Sequence, residues 1–213
     1  MENYIFDVDL TLIDSHKVNL LSTQSAFRQM GWPAPSSADI LKYTGMSIDR
    51  SFPKMAPANA KPADFQKLFP IFVDKYKKLK NNNIKLFDGM ADILKTLSER
   101  GKNLFIVTSN SHAIVLDNFK ILGIAQYFKE IVGSEDVEHS KPYPDGDLKI
   151  VHDNHLDPDQ TIMIGDATYD LKMGKNAGVH TAGVTWGAHP KSLLASVHPD
   201  YLIDHPKDLL NIK

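Results

Sequence analysis

Four short apolar runs constrain this chain more than any other feature: YIFDVD (4–9), NLFIVTSN (103–110), EIVGSED (130–136) and TIMIGD (161–166). Each stops abruptly on polar, chemically capable side chains. Short apolar runs with helical patterns between them are what buried parallel strands look like, each crossover being supplied by a helix. In an open sheet of that kind the ligand lies beyond the carboxyl ends of the strands, so the residues that end the runs converge on one crevice. The predicted fold is α/β, built on a Rossmann-like parallel sheet.

The crossover segments agree. Met90, Ile93, Leu94 and Leu97 follow the i, i+3, i+4, i+7 spacing of a helix packed on a sheet, and Arg100 and Gly101 supply a basic last turn and a stop. A further helix follows Ser111, carrying Ile114, Val115 and Leu122 and closing near Gly123. VHTAGV (179–184) and DYLI (200–203) read as two more strands, the second at an edge.

The region 15–86 differs. It holds the helical patterns VNLLSTQSAFRQM (18–30) and FQKLFPIFVDKYKKLK (65–80), separated by the Pro- and Ser-rich WPAPSSAD (32–39), and it offers no convincing strand. An insert of about 70 residues is too long for a plain loop. The expectation is a helical cap domain over 15–86, set into a catalytic core made of 1–14 and 87–213, with hinges near 15–16 and 81–87. The lysine-rich run 75–80 is expected on its solvated face.

Composition narrows the chemistry. With 24 basic against 26 acidic side chains no strong field argues for nucleic acid or an anionic membrane. There is no cysteine, so disulfides, thiolate zinc sites and cysteine nucleophiles are excluded, and any metal must sit on oxygen or imidazole. The start MENYIF lacks a basic region followed by a long apolar stretch, and no run approaches a membrane span. A cytoplasmic protein is expected, as a monomer or homodimer.

Asp7 and Asp9 stand one residue apart where the first run ends, and Asp166 and Asp170 stand four apart where the last one ends. Like charges gathered at one crevice repel unless a cation or a shared proton lies between them. Such a cluster suits a hard, oxygen-loving cation, with Mg²⁺ leading because it binds through a few carboxylates, waters and substrate phosphate. Plainer roles, an acidic turn for the first pair and complementing a helix amino end for the second, account for each acid singly. They do not explain why both pairs end strands.

DVDLT (7–11), Thr108 at the end of FIVT, Lys141 in SKPYPD, and GDATYD (165–170) resemble, in order and spacing, the four motifs of the haloacid dehalogenase-like hydrolase superfamily. The helical insert resembles the cap of its phosphoglycolate phosphatase and phosphoglucomutase branch, and the resemblance covers essentially the whole chain. It implies that Asp7 is the nucleophile and forms an aspartyl-phosphate, while Asp9 is the general acid and then the base. Thr108 and Ser109 would hold phosphoryl oxygens, and Lys141 would neutralise charge. Asp166 would ligate Mg²⁺ together with Asp7, the Asp9 carbonyl and Asp170, with Thr11 among the substrate contacts. YTGMSIDRSF (43–52) resembles the loop that dips towards substrate in this branch, which makes Met46, Ser47 and Arg50 candidates for the leaving group.

Two departures stand out. Leu10 replaces the Gly usual in the first motif of this branch, and Asp88 stands where a Pro commonly precedes Gly89. Ile48 stands where similar mutases carry an Arg, and the GDxxxD form is kept, which favours a phosphatase. The implied activity is a Mg²⁺-dependent phosphomonoester hydrolase acting on a small phosphorylated metabolite, phosphoglycolate first, then sugar phosphates or pyrophosphate. The alternatives are a phosphosugar mutase and a non-catalytic, phosphate-responsive protein. His152 and His155 read as surface residues, His16 as a hinge residue to watch, and Trp32 and Trp186 as packing residues.

Overall fold

The computed structural model describes residues 1–213. Six parallel strands form the main sheet. These are β1 (Asn3–Phe6), β4 (Asn103–Val107), β5 (Glu130–Val132), β6 (Thr161–Gly165), β7 (His180–Val184) and β8 (Tyr201–Ile203). Their order across the sheet is β5-β4-β1-β6-β7-β8. The chain thus builds outward from β1 in one direction and then returns to build outward in the other. The switch point lies between β1 and β6, where a doubly wound sheet opens its crevice.

Burial on both faces explains why the strands read as continuous apolar runs. All four residues of β1 are buried. Ile5, paired with Phe105 and Met163, belongs to the apolar cluster that also takes in Ile150 and Met173. Those two come from α7 (Asp145–Asp153) and α8 (Thr168–Ala177). Tyr4 and Phe6 point to the other face, which is covered by α5 (Met90–Glu99) and α6 (His112–Leu122) through Ile93, Leu94, Val115 and Phe119. A short α9 (Lys191–Ala195) follows β7. No helix is long and apolar enough to cross a membrane.

Between β1 and α5 the chain makes one long excursion through four helices: α1 (His16–Gln29), α2 (Ser37–Tyr43), α3 (Ile48–Met55) and α4 (Pro62–Leu79). Pro62 opens α4 at a position where its missing N–H removes nothing from the helix. Aromatic rings fill the insert, with Phe27 and Phe72 both edge-on to Phe52 at 5.6 and 5.1 Å. Trp32 packs against Phe27 and Phe65, as its reading as a packing residue anticipates.

Two expectations for this region change. The insert was expected to lack strands, yet β2 (Ile13–Asp14) pairs antiparallel with β3 (Lys85–Leu86) and ties its entry to its exit. Neither segment is long enough to show a period of two, so pattern alone does not find them. Lys80, placed by its run on the solvated face, is only 4 % exposed and ion-pairs with Asp117 of α6. Lys77 and Lys78 do stay exposed.

Candidate active site

The crevice begins where β1 ends. The Asp7 N–H donates to the Ile164 carbonyl at 2.9 Å, extending the ladder to β6 by one residue and holding Asp7 at the switch point. The chain then turns tightly, with the N–H groups of Leu12 and Ile13 both donating to the Val8 carbonyl at 3.0 Å. Leu10 adopts φ +61° in this turn, in the left-handed region that glycine enters freely. A residue with a Cβ is strained there by roughly 1–2 kcal/mol. Leu10 is 4 % exposed, and burying a leucine side chain is worth about 1.5–3 kcal/mol. Packing therefore offsets the strain, and the backbone keeps the path that the missing glycine would take.

Asp7, Asp166 and Asp170 bring carboxylate oxygens within 4.8 Å of one another. Lys141 enters from the loop before α7, its Nζ 2.6 Å from Asp7 Oδ1 and 2.8 Å from Asp170 Oδ1, with all four side chains buried. Burial alone would lower the Lys141 pKa, but the charges of Asp170 and Asp7 outweigh it and hold the ammonium above its ordinary range. Burial, reinforced by the neighbouring acids, raises both Asp7 and Asp166 above the usual carboxylate range. Three carboxylates face one ammonium, and Asp7 Oδ2 is buried without a partner. An all-oxygen donor set of three carboxylates with surplus negative charge fits Mg²⁺.

The surrounding backbone is shaped to this cluster. Thr11 Oγ1 donates to Asp166 Oδ1 at 3.0 Å and the Ala188 N–H to Asp166 Oδ2 at 2.7 Å. The Ala167 N–H donates to Asp170 Oδ2 at 3.0 Å, so Asp170 caps the start of α8 while presenting its other oxygen to Lys141. A Cβ on Gly187 would lie 2.1 Å from the Asp166 Cβ, and one on Gly165 2.3 Å from the Asp170 Cβ. Each acid is pressed against backbone that only glycine leaves open. Trp186 Nε1 donates to the Thr11 carbonyl at 3.0 Å, clamping the first loop from the other side.

Above the cluster lies a pocket of about 690 Å³, open to solvent, between this loop set and the helical insert. Asp7, Asp9, Thr108, Ser109 and Met46 all line it. Asp9 points away from the three-acid cluster: its Oδ2 accepts from Asn110 Nδ2 at 2.5 Å and its Oδ1 is buried without a partner. Ser109 Oγ donates to the Gly45 carbonyl at 2.9 Å, joining the second motif to the insert.

Three expected substrate contacts sit elsewhere. Thr11 is fully buried and engaged with Asp166. Ser47 is buried at the start of α3 outside the pocket lining, its hydroxyl without a partner. Arg50 turns to the core, donating to Ser140 Oγ at 3.2 Å and the Lys141 carbonyl at 3.0 Å, so it steadies the Lys141 loop. His16 lies against Ser37 outside the pocket.

Sequence reasoning passed over three groups. Asn110, which orients Asp9, was visible as the last residue of the second run. His189 accepts from the Thr168 N–H through Nδ1 at 3.1 Å, while its own backbone N–H donates to the Asp166 carbonyl at 3.3 Å; burial lowers its pKa. Asp147 on α7 is fully buried with both oxygens unpartnered, and burial raises its pKa to about 8. Its signal was positional: with Ile150 and Val151 it makes an i, i+3, i+4 stripe, so an acid stood on an apolar face.

The chain is 29% identical over 208 residues to "Pyrophosphatase PpaX" of Oceanobacillus iheyensis, covering 98% of this chain and 94% of that one. The protein of the same name from Bacillus pumilus is 30% identical over 212 residues, with the same coverage of 98% and 94%. Among solved structures, a haloacid dehalogenase-like family hydrolase from Streptococcus pneumoniae superposes with a TM-score of 0.87 at 26% identity, over 99% of this chain and 97% of that one. The fold is shared with a structure from Haemophilus somnus described as a predicted phosphoglycolate phosphatase, at TM-score 0.91, 24% identity and coverage of 99% and 97%. The model of the family described as haloacid dehalogenase-like hydrolase matches residues 4–184, from the first strand of the sheet to the end of β7, and the chain belongs to that family.

Proposed function

We propose that the chain is a Mg²⁺-dependent phosphomonoester hydrolase acting on a small phosphorylated metabolite through an aspartyl-phosphate, an acyl phosphate of Asp7, with the helical insert serving as its cap. The observation that carries this reading is Asp7 itself. One oxygen is held by Lys141, and the other is buried, unpartnered, on a residue that lines the pocket. An anionic nucleophile and an anionic phosphoryl group repel each other, so attack requires positive charge at the point where they meet. Lys141 supplies one such charge. Asp7, Asp166 and Asp170 would hold Mg²⁺ with the Asp9 carbonyl, and the ion when bound screens the phosphoryl oxygens and orients them.

In the first step Asp7 Oδ2 attacks phosphorus, the P–O bond to the leaving group breaks, and Asp9 gives its proton to the departing oxygen. In the second, water gives a proton to Asp9 and attacks phosphorus, the bond to Asp7 breaks, and inorganic phosphate leaves. Asp9 suits this exchange because Asn110 fixes one carboxylate oxygen and leaves the other free. The hydroxyl of Thr108, which accepts from the Asn110 N–H at 3.2 Å, stands beside both acids in the lining and suits a phosphoryl contact, as does Ser109.

The test is hydrolysis of p-nitrophenyl phosphate with rapid acid quenching. Release that requires Mg²⁺, stops with EDTA and is lost in Asp7→Asn, with phosphate trapped on the Asp7 peptide, is the expected result. Turnover unaffected by EDTA or by Asp7→Asn would sink the reading.

A further inference from the structure

The pocket has two unlike halves. The half contributed by the core carries Asp7, Asp9, Thr108, Ser109 and Asn110, with Lys141 behind Asp7. The half that would receive the leaving group is walled by Ile40, Met46, Ile48, Phe52, Met55 and Phe72, interrupted by Asn19 and the hydroxyls of Thr23, Thr44, Ser51 and Tyr76. No lysine, arginine or histidine lines the pocket.

The nearby cations are committed elsewhere. Arg50 is bound to Ser140 and the Lys141 carbonyl, Lys80 is paired with Asp117, and Lys141 is divided between Asp7 and Asp170. Lys42 lies exposed, 5.3 Å from the centre of the Tyr43 ring. The amino end of α3 offers about half a unit of positive charge, but Asp49 stands in its first turn. The Tyr76 hydroxyl is bonded to Asn118 at 2.8 Å, and burial with the charge of Asp9 raises its pKa, so it stays neutral.

A second anionic group on the substrate would therefore enter an apolar wall with no counter-charge, which is strongly unfavourable. Carbon and hydroxyl fit the same wall. Resting on the phosphohydrolase reading above, we infer that the leaving group is an uncharged, partly apolar alcohol, so that the substrate is a phosphate monoester of such an alcohol and neither pyrophosphate nor a carboxylate-bearing phosphate ester such as phosphoglycolate. The bond broken is P–O to the alcohol, and the proton from Asp9 makes the product a neutral molecule that leaves an apolar wall without a charge to desolvate.

The experiment compares matched substrates under Mg²⁺: 2-hydroxyethyl phosphate against 2-phosphoglycolate, which differ by a carbinol in place of a carboxylate, and n-butyl phosphate against pyrophosphate. p-Nitrophenyl phosphate serves as the control. The neutral member of each pair is expected to show kcat/KM at least about tenfold higher. Met46→Lys, which places an ammonium in the wall, is expected to narrow the first gap by improving phosphoglycolate, with Met55→Lys as a second variant should the first not fold. Equal or better turnover of phosphoglycolate or pyrophosphate overturns the inference, as does a gap that neither lysine narrows. Loss of p-nitrophenyl phosphate hydrolysis in the wild type would instead remove the phosphohydrolase reading itself, and this inference with it.

Discussion

The two walls of the crevice are built on opposite terms. On the core side, buried carboxylates and a buried ammonium are held by backbone N–H groups, a threonine and two glycines within hydrogen-bond or van der Waals reach. On the cap side the lining is apolar rings, methionines and neutral hydroxyls, and the cap closes over an aromatic core of its own. The contrast separates two tasks. On the reading proposed above, charge set among close backbone contacts would govern chemistry at phosphorus, whereas a neutral wall of flexible and aromatic side chains would govern what is attached to it.

That division is open to direct attack. Asp7→Asn should reduce turnover of every ester alike, by at least about 10⁴-fold, with the circular dichroism spectrum unchanged; a loss confined to some esters would break the division. Gly187→Ala pushes a methyl into Asp166 and should raise the Mg²⁺ concentration for half-maximal activity by about 10–100-fold, read from a metal titration at saturating ester. An unchanged titration would mean that Asp166 does not hold the ion.

Asp147 sharpens the contrast from beneath the core wall. Its ordinary pKa of 3.8 rises to about 8 on folding. Between those values the unfolded chain has released the proton and the folded one still holds it, so stability falls as pH rises through that window. Asp147→Asn removes this dependence. Its stability advantage over the wild type should be absent near pH 4 and grow by up to about 1.4 kcal/mol per pH unit towards pH 8, measured by urea denaturation at several pH values. A constant difference would show that the group ionises alike in both states. The smallest effect belongs to the cap: Met55→Ala should raise KM a few-fold for esters of bulky apolar alcohols and leave kcat almost unchanged. An equal fall in kcat would place Met55 in the chemistry.

Much of the core wall was legible in the sequence because strand ends expose their chemistry locally. Asp7, Thr108 and Asp166 follow directly on apolar runs, and a parallel sheet carries such positions to one edge whatever the loops do. Lys141 and Asp170 were legible through their motifs, since no local pattern brings a loop lysine 134 residues from Asp7 into contact with it. The cap contacts were less legible for a physical reason. Whether Arg50 faces the pocket or the core depends on which carbonyl it reaches across the interface, and spacing within the helix does not carry that information. Leu10 is the reverse case: the departure from glycine was plain, but only the burial of its side chain explains why the turn survives.

The short β2–β3 pairing also bears on how the chain finds its fold. β1 sits at the centre of the sheet, and Asn3 lies opposite Asn103, so its first partner arrives about a hundred residues later in synthesis. Once Ile13 and Leu86 are paired, the cap becomes a closed side branch, and the path from β1 to β4 shortens to about 25 residues. Loop-closure entropy scales with the logarithm of length, which makes the central pairing easier by about 1.2 kcal/mol. Four residues of antiparallel ladder thereby lower the effective contact order of a sheet whose topology would otherwise make it slow to assemble.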